Sequence, residues 1–410
     1  MNGHLVESDS RTTPAIEAVA GLPPSRVAFV RGPTLNRAEL RIVEPLQDRF
    51  AITLVGSRLD HLTCGTAFVA TPCLATFCDR LPKVRRVYRD SLQYLLGDPT
   101  YLWGLDAVVR RHDVVDVAET YNMYSYQAAR LCLQHGKPLL VTVYENTPFF
   151  REENPRTARL KAFVRAHASH FIARTQQIKA SLIAEGIAKE KIEVIYSAVD
   201  VDTFRPGTPD PQLMADLGLS PDDVVMVFVG RLVWEKGVGD LLRALRCLPS
   251  TPGTKTNRVK LLIVGDGPEK ARLAHLTRAL GIDDQVVFAG SHRFDRMPDI
   301  YRLADWLVLG SKPYPRGQEQ EPRVVREAMA CGKPVLATAC GGIAEVVGEA
   351  GLIVPPADHP AMAAAMLELL ECPARRAEFA QRARDRALRD FDARELSEQL
   401  GRAYRRLVQR

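Results

Sequence analysis

Two series of short apolar runs, separated by stretches with helical spacing, constrain the fold of this chain more than any other feature. The first comprises Val27–Val30, Ala51–Val55, Val114–Val117, Leu139–Val143 and Phe171–Ala173. The second comprises Val224–Val229, Val259–Val264, Val286–Ala289, Trp306–Leu309 and Val335–Thr338. Strand, helical crossover and strand in repetition is the pattern of βα units on a parallel sheet. Two such series predict an α/β protein of two Rossmann-like, doubly wound parallel-sheet domains with a cleft between them, and 410 residues exceed what one core usually fills. Residues 1–24 are polar and rich in Ser, Thr and Pro, the composition of a disordered tail. The first domain is expected over 25–205 and the second over 206–385, with the boundary at Val199-Asp200-Val201-Asp202-Thr203-Phe204-Arg205-Pro206. Within 386–410, Leu396, Leu400, Tyr404 and Leu407 recur at helical spacing.

Composition excludes several classes. With 46% hydrophobic and 25% charged residues the chain has ordinary soluble character. No run approaches the roughly 18 apolar residues of a membrane span, and no apolar signal core follows a basic start, so a cytoplasmic protein is expected. Cys64, Cys73, Cys78, Cys132, Cys247, Cys331, Cys340 and Cys372 form no metal-ligand or paired framework and read as reduced thiols. The net charge of +6 is a mild bias. Basic residues gather at Lys83, Arg85, Arg86 and Arg89, and again at Arg156, Arg159, Lys161, Arg165, Arg174 and Lys179. They read as solvated helix faces or as contacts with anionic lipid headgroups or phosphorylated acceptors, peripheral to the inner membrane face. No nucleic-acid module accompanies them.

The chemistry concentrates in residues 310–356. Glu319 and Glu327 have seven residues between them and cannot be adjacent on one straight helix; Pro322, tolerated at a helix start and not inside one, puts Glu319 on a loop and Glu327 on the helix that follows. Val324, Val325, Ala328 and Met329 give that helix an apolar stripe, and Gly332-Lys333-Pro334 stops it ahead of Val335–Thr338.

This segment, continuing through Ala328-Met329-Ala330-Cys331-Gly332-Lys333-Pro334-Val335, strongly resembles glycosyltransferase family 4, whose retaining members have the GT-B fold. Val229-Gly230-Arg231-Leu232 with Glu235-Lys236-Gly237 resembles the family's phosphate loop. Val264-Gly265-Asp266-Gly267-Pro268 resembles its next strand end, and Gly348 to Pro355 its last strand. The linker resembles the family's Gly-Val-Asp…Phe-x-Pro, with Ala198 in place of Gly and Tyr196-Ser197 in place of Pro-Asn. A second departure is Glu321-Pro322, where Phe-Gly is usual beside the donor sugar. The resemblance implies two GT-B domains, with the final helix returning to the first. It also implies transfer of a hexose-type sugar from a nucleoside diphosphate, UDP or GDP, to an acceptor hydroxyl in lipid-linked or envelope glycan synthesis.

A diphosphate leaving group needs positive charge and N–H donors. Gly230 allows close backbone approach, and Arg231 and Lys236 supply one forked and one compact cation; a turn with two solvent-facing cations is the plainer reading. Glu327 matches the position that binds ribose hydroxyls, or is an i, i+4 partner of Arg323. Glu319 matches the position beside the donor sugar, or is a solvated loop charge. Gly265 lies at a strand end of the same nucleotide side. Gly341, Gly342 and Ile343 open a helix whose N–H groups are expected either to receive phosphate or sugar oxygens or to form a structural turn. In the first domain, Asn36, Glu119, Tyr121, Glu145 and Asn146 follow strands at the sheet's C-terminal edge, where α/β ligand sites form, and are acceptor-side candidates or ordinary cleft-lining and capping residues. Many relatives have His in these loops. No Asp-x-Asp pair is placed for a divalent ion, so neither metal nor other cofactor is expected. A competing reading is a non-catalytic, nucleotide-sugar-binding partner of another transferase.

Overall fold

The computed structural model describes residues 24–33, 35–56, 67–70, 100–249, 258–315 and 317–409. The tail expected over 1–24, apart from Pro24, the basic cluster at Lys83 to Arg89, and Cys64, Cys73 and Cys78 lie outside the described residues.

The first sheet contains β1 (Arg26–Gly32), β2 (Ala51–Gly56), β3 (Ala67–Ala70), β4 (Val114–Ala118), β5 (Leu139–Val143), β6 (His170–Ala173) and β7 (Ile192–Val194). Its order is β3-β2-β1-β4-β5-β6-β7. The second contains β8 (Val224–Val229), β9 (Val259–Val264), β10 (Val286–Gly290), β11 (Trp306–Leu309), β12 (Val335–Thr338) and β13 (Gly351–Val354), ordered β10-β9-β8-β11-β12-β13. Every strand pairing is parallel. The central strands are buried along their whole length, β4 and β5 at every position, which is why their sequences read as continuous apolar runs rather than alternation. Helices on both faces complete two doubly wound units. The strand order reverses between β1 and β4 in the first sheet and between β8 and β11 in the second, so the crevice at the C-terminal edge of each sheet lies at those pairs.

Helix Arg323–Ala330 shows how the local sequence builds the segment between the two glutamates. Pro322 stands immediately before it in extended backbone (φ −69°, ψ 108°); Val325, Ala328, Met329 and Ala330 are buried, and Gly332 (φ +70°) ends it. The last helix, Ala393–Val408, packs on the first domain. Its Leu396, Leu400, Ala403, Tyr404 and Leu407 join a core with Leu46, Phe50, Ile52 and Leu54 of that domain. The Tyr404 hydroxyl donates to Asp116 Oδ2 (2.7 Å), inside β4, and Arg31 NH1 and the Thr142 hydroxyl donate to Asp116 Oδ1 (3.1 and 3.2 Å). A buried carboxylate on a central strand is thus satisfied from three elements, one of them reached at the far end of the chain.

Part of the basic stripe read as a solvated face is internal. Lys161 is 2% exposed and pairs with Glu152 (3.0 Å) and Glu185 (2.8 Å); Arg165 pairs with the same two carboxylates, and Arg174 is buried. Arg156 and Arg159 remain exposed. Among the described residues no helix is long and apolar enough to cross a membrane, and Cys132, Cys247, Cys331, Cys340 and Cys372 are free thiols.

Candidate active site

Two loops cross where the second sheet reverses order. The loop after β8 turns at Gly237 (φ +65°) into helix Val238–Arg246, and the loop after β11 passes directly beneath it, with the Gly310 carbonyl where a Cβ on residue 237 would stand. Only glycine permits this crossing. It brings Lys236, from the first loop, onto Glu319, from the second: Lys236 Nζ forms an ion pair with Glu319 Oε1, and the Ser311 hydroxyl donates to the same oxygen (2.9 Å). The side chains are 29% and 15% exposed, so the pair is reachable from the cleft. Arg231 is exposed on the same loop.

The Glu319 loop meets the first domain at the loop after β5. Asn146 Nδ2 donates to the Glu319 carbonyl (2.7 Å), and Gln320 Nε2 donates to Glu145 Oε2 (2.9 Å). Glu119, at the end of β4 with φ +67°, accepts the N–H groups of Tyr144 (2.9 Å) and Glu145 (3.0 Å) on Oε1. Its Oε2 is buried with no hydrogen-bond partner, as is Oδ1 of Asn146. Burial pushes the Glu119 carboxyl up to about 8, and Glu145 beside it acts in the same direction. Tyr121 is also raised by burial; Phe150 packs edge-on to its ring, and the Arg151 guanidinium lies 5.1 Å from its centroid. Glu145 and Asn146 thus meet the Glu319 loop, and Glu119 holds the backbone that carries them. Asn36 is exposed, and its Oδ1 accepts the N–H of Glu39 (3.4 Å) in the first turn after β1.

Glu327 is 3% exposed. The Tyr301 hydroxyl donates to Oε2 (2.9 Å), Arg323 Nε lies 3.7 Å from Oε1 in the i, i+4 relation, and burial raises the carboxyl above its ordinary range. Oε1 has no hydrogen-bond partner, leaving one acceptor position to fill.

Of the two roles expected for Gly341, Gly342 and Ile343, the structure forms the turn. The Gly342 N–H donates to the Glu319 carbonyl (2.9 Å) and that of Ile343 to Cys340 (3.3 Å), and Gly341 packs on the Glu319 backbone. Through these bonds the turn builds the Glu319 loop, and helix Ile343–Val347 is too short to carry an anion site of its own. The N–H groups of Gly230 and Gly265 are likewise spent, on Val264 (3.0 Å) and Gly290 (2.7 Å). The close approach expected at Gly230 is real, but what approaches is Gly265 (φ +138°). The reading of the sequence also missed Ser311, Gln320, and the partners of Glu321 described below. Ser311 carries no local signal, whereas Gln320 stood beside a singled-out carboxylate. Among the described residues no group of three His, Cys, Asp or Glu side chains is arranged to hold a metal.

Two doubly wound domains, each presenting its switch point to a shared cleft, with a cation–carboxylate pair on one side and polar loops on the other, define the GT-B class. The Glycosyl transferases group 1 family matches residues 210–386, and Glycosyltransferase Family 4 matches residues 44–203. The chain is similar to a D-inositol 3-phosphate glycosyltransferase of Rhodococcus erythropolis, with 34% identity over 228 residues, 53% of this chain and 49% of that protein, so this alignment spans about half of the relative's length. A D-inositol 3-phosphate glycosyltransferase of Mycobacteroides abscessus is 30% identical over 389 residues, 87% of this chain and 84% of that protein. Among solved structures, HepE of Anabaena in complex with UDP superposes with a TM-score of 0.70 at 22% identity, covering 92% of this chain and 99% of the other. The chain belongs to glycosyltransferase family 4, the group 1 glycosyl transferases.

Proposed function

We propose that the protein is a retaining glycosyltransferase that moves a hexose-type sugar from a nucleoside diphosphate to an acceptor hydroxyl. The observation that carries this reading is the Lys236–Glu319 pair at the second sheet's switch point, facing Asn146 and Glu145 of the first domain. In a donor complex Lys236 and Arg231 would hold the diphosphate, and Glu319, released from Lys236, would accept hydrogen bonds from sugar hydroxyls. Glu327 Oε1 would accept from a ribose hydroxyl. The bond from the anomeric carbon to phosphate oxygen breaks as the acceptor oxygen bonds the same carbon on the same face, and the acceptor proton passes to the leaving phosphate. Negative charge develops on that phosphate, where Lys236 is worth most.

Side chains meet the phosphate charge in this reading, and no metal is required. UDP and GDP sugars are the donors of choice. HepE was solved with UDP and UDP-glucose, and the relatives named above are D-inositol 3-phosphate glycosyltransferases, so UDP-glucose and an inositol phosphate belong first in the assay alongside lipid-linked acceptors. We place the reaction in the cytoplasm, with the exposed Arg156 and Arg159 available for peripheral contact with anionic lipid.

The two glutamates give the test. Glu327→Ala should lower affinity for free nucleoside diphosphate and for the sugar nucleotide alike, because both contain the ribose; Glu319→Gln should keep nucleotide affinity and lose turnover. Calorimetry with UDP and GDP beside single-turnover rates reads both. Loss of nucleotide binding in Glu319→Gln alone would reverse the roles, and a folded pair of variants with no change at all would support a binding partner without catalysis.

A further inference from the structure

We propose that Glu321 is a positioning residue: it holds the Glu319 loop in place by bridging Ser197, after the last strand of the first domain, to the buried guanidinium of Arg326 in the second. The inference rests on the reading of Glu319 as the donor-facing carboxylate.

Glu319, Gln320 and Glu321 each contact the first domain or the linker leaving it. For Glu321 the contact is Ser197, whose N–H donates to Oε1 (2.7 Å) and whose hydroxyl donates to Oε2. On the opposite side Arg326 NH1, from helix Arg323–Ala330, lies 2.7 Å from Oε1, and both side chains are 3% exposed. Neither Nε nor NH1 of Arg326 has a hydrogen-bond partner among the described residues, and the cation is balanced by its ion pair with Glu321, with Glu327 acting in the same direction. Arg174, at the end of β6 in the first domain, supports the Ser197 side of this bridge. It is 3% exposed, and its NH1 donates to the carbonyls of Ile195 (3.1 Å) and Tyr196 (3.2 Å), the two residues before Ser197. Burial disfavours the charge on both arginines, Glu321 favours it on both, and Arg174 disfavours it on Arg326. Both residues in the Glu321–Ser197 contact are places where the sequence departs from the family pattern, and the structure shows that the departures meet.

Neutralising Glu321 would leave the buried Arg326 guanidinium without its ion-pair partner at the domain boundary. An unpaired buried charge is far costlier than a pair removed together. The cheapest relief is movement of the loop or separation of the domains, and either takes Glu319 away from its place on Lys236. A misplacement of about an ångström is enough to cost about 100-fold in rate.

The test is steady-state kinetics with UDP-glucose, or GDP-mannose where the wild type prefers it, for Glu321→Gln, Arg326→Gln and the double variant, with melting temperatures alongside. Gln keeps the size of Glu321 and an acceptor for Ser197. The single Glu321→Gln variant should lose about 10- to 100-fold in kcat with little change in the donor KM, and the double variant should recover much of that loss, since the uncompensated cation on the helix is gone. A wild-type kcat in Glu321→Gln overturns the proposal. So does a kcat loss that follows the melting temperature and is not recovered by the double variant, because that marks a general packing role. Glu319→Gln, measured in parallel, separates the layers: if it abolishes turnover while Glu321→Gln behaves as wild type, only this inference falls. If Glu319→Gln leaves turnover intact, the reading of the site falls and this inference with it.

Discussion

Glu119→Gln asks whether the carboxyl at the end of β4 is buried as a neutral acid. In the folded chain this group is 6% exposed, Oε1 accepts two backbone N–H groups, and burial raises it from 4.5 to about 8. A carboxyl raised on folding contributes stability that is fully present below its unfolded value and is lost as pH rises through the folded one. The window therefore runs from 4.5 to about 8, and over it the group's contribution falls by about 1.4 kcal/mol per pH unit. Gln keeps the acceptor for Tyr144 and Glu145 and offers N–H where the protonated acid offers O–H, but it cannot ionise. Near the low end of the window the two proteins should be equally stable. The variant should then gain on the wild type by roughly 1 kcal/mol per pH unit, reaching on the order of 3–5 kcal/mol at the top, and level off above it. Urea unfolding followed by circular dichroism through this range, with the linear extrapolation applied at each pH, measures the difference directly. A variant that is less stable than the wild type by a constant amount at every pH would refute the reasoning, since that pattern belongs to a lost contact and not to a suppressed ionisation.

Lys236→Ala should change stability by less than about 1 kcal/mol, because the ion pair it removes is partly exposed, yet should weaken sugar-nucleotide binding and lower turnover by about 100- to 1000-fold; unaltered kinetics would remove Lys236 from the site. Tyr404→Phe should cost about 1.5–3 kcal/mol in the same urea assay, since Asp116 Oδ2 loses its donor at a buried position, and a neutral result would mean that the end helix holds by apolar packing alone. Transfer should survive exhaustive EDTA treatment, and activity lost and then restored only by magnesium or manganese would contradict the diphosphate reading.

What the sequence made legible follows from distance along the chain. The strand series and the loop, helix and strand around Glu319 and Glu327 are written in neighbouring residues: apolar runs, Pro322 before a helix, Gly332 after it. Strands β3 and β7, the two edges of the first sheet, lie outside that series; β7 has Glu193 at its centre and so offers no apolar run. The contacts that assemble the site join Lys236 to Glu319 across 83 positions, Ser197 to Glu321 across 124 and Gln320 to Glu145 across 175. Nothing local to any of these residues names its partner, because the partner is chosen by which loop ends lie side by side once both sheets have formed. The same cause decides between the two readings of Gly341 and Gly342. Their sequence is that of an anion-binding turn, and the donor of Gly342 was claimed instead by a carbonyl that only the fold brings near.

That claim also changes what the turn does. The Glu319 carbonyl accepts both the Asn146 amide and the Gly342 N–H, so the backbone under the carboxylate is held from both domains at once. Meanwhile its side chain is held, among the described residues, by Lys236 and Ser311 through one oxygen. A residue fixed at the backbone and lightly tethered at the tip can exchange partners by rotating its side chain, without the cost of reordering a loop. The tether is also the group that a diphosphate would attract most strongly. Arrival of the donor would therefore draw Lys236 toward phosphate and free Glu319 for the sugar in a single exchange, and the loop would already be in the position that turnover needs.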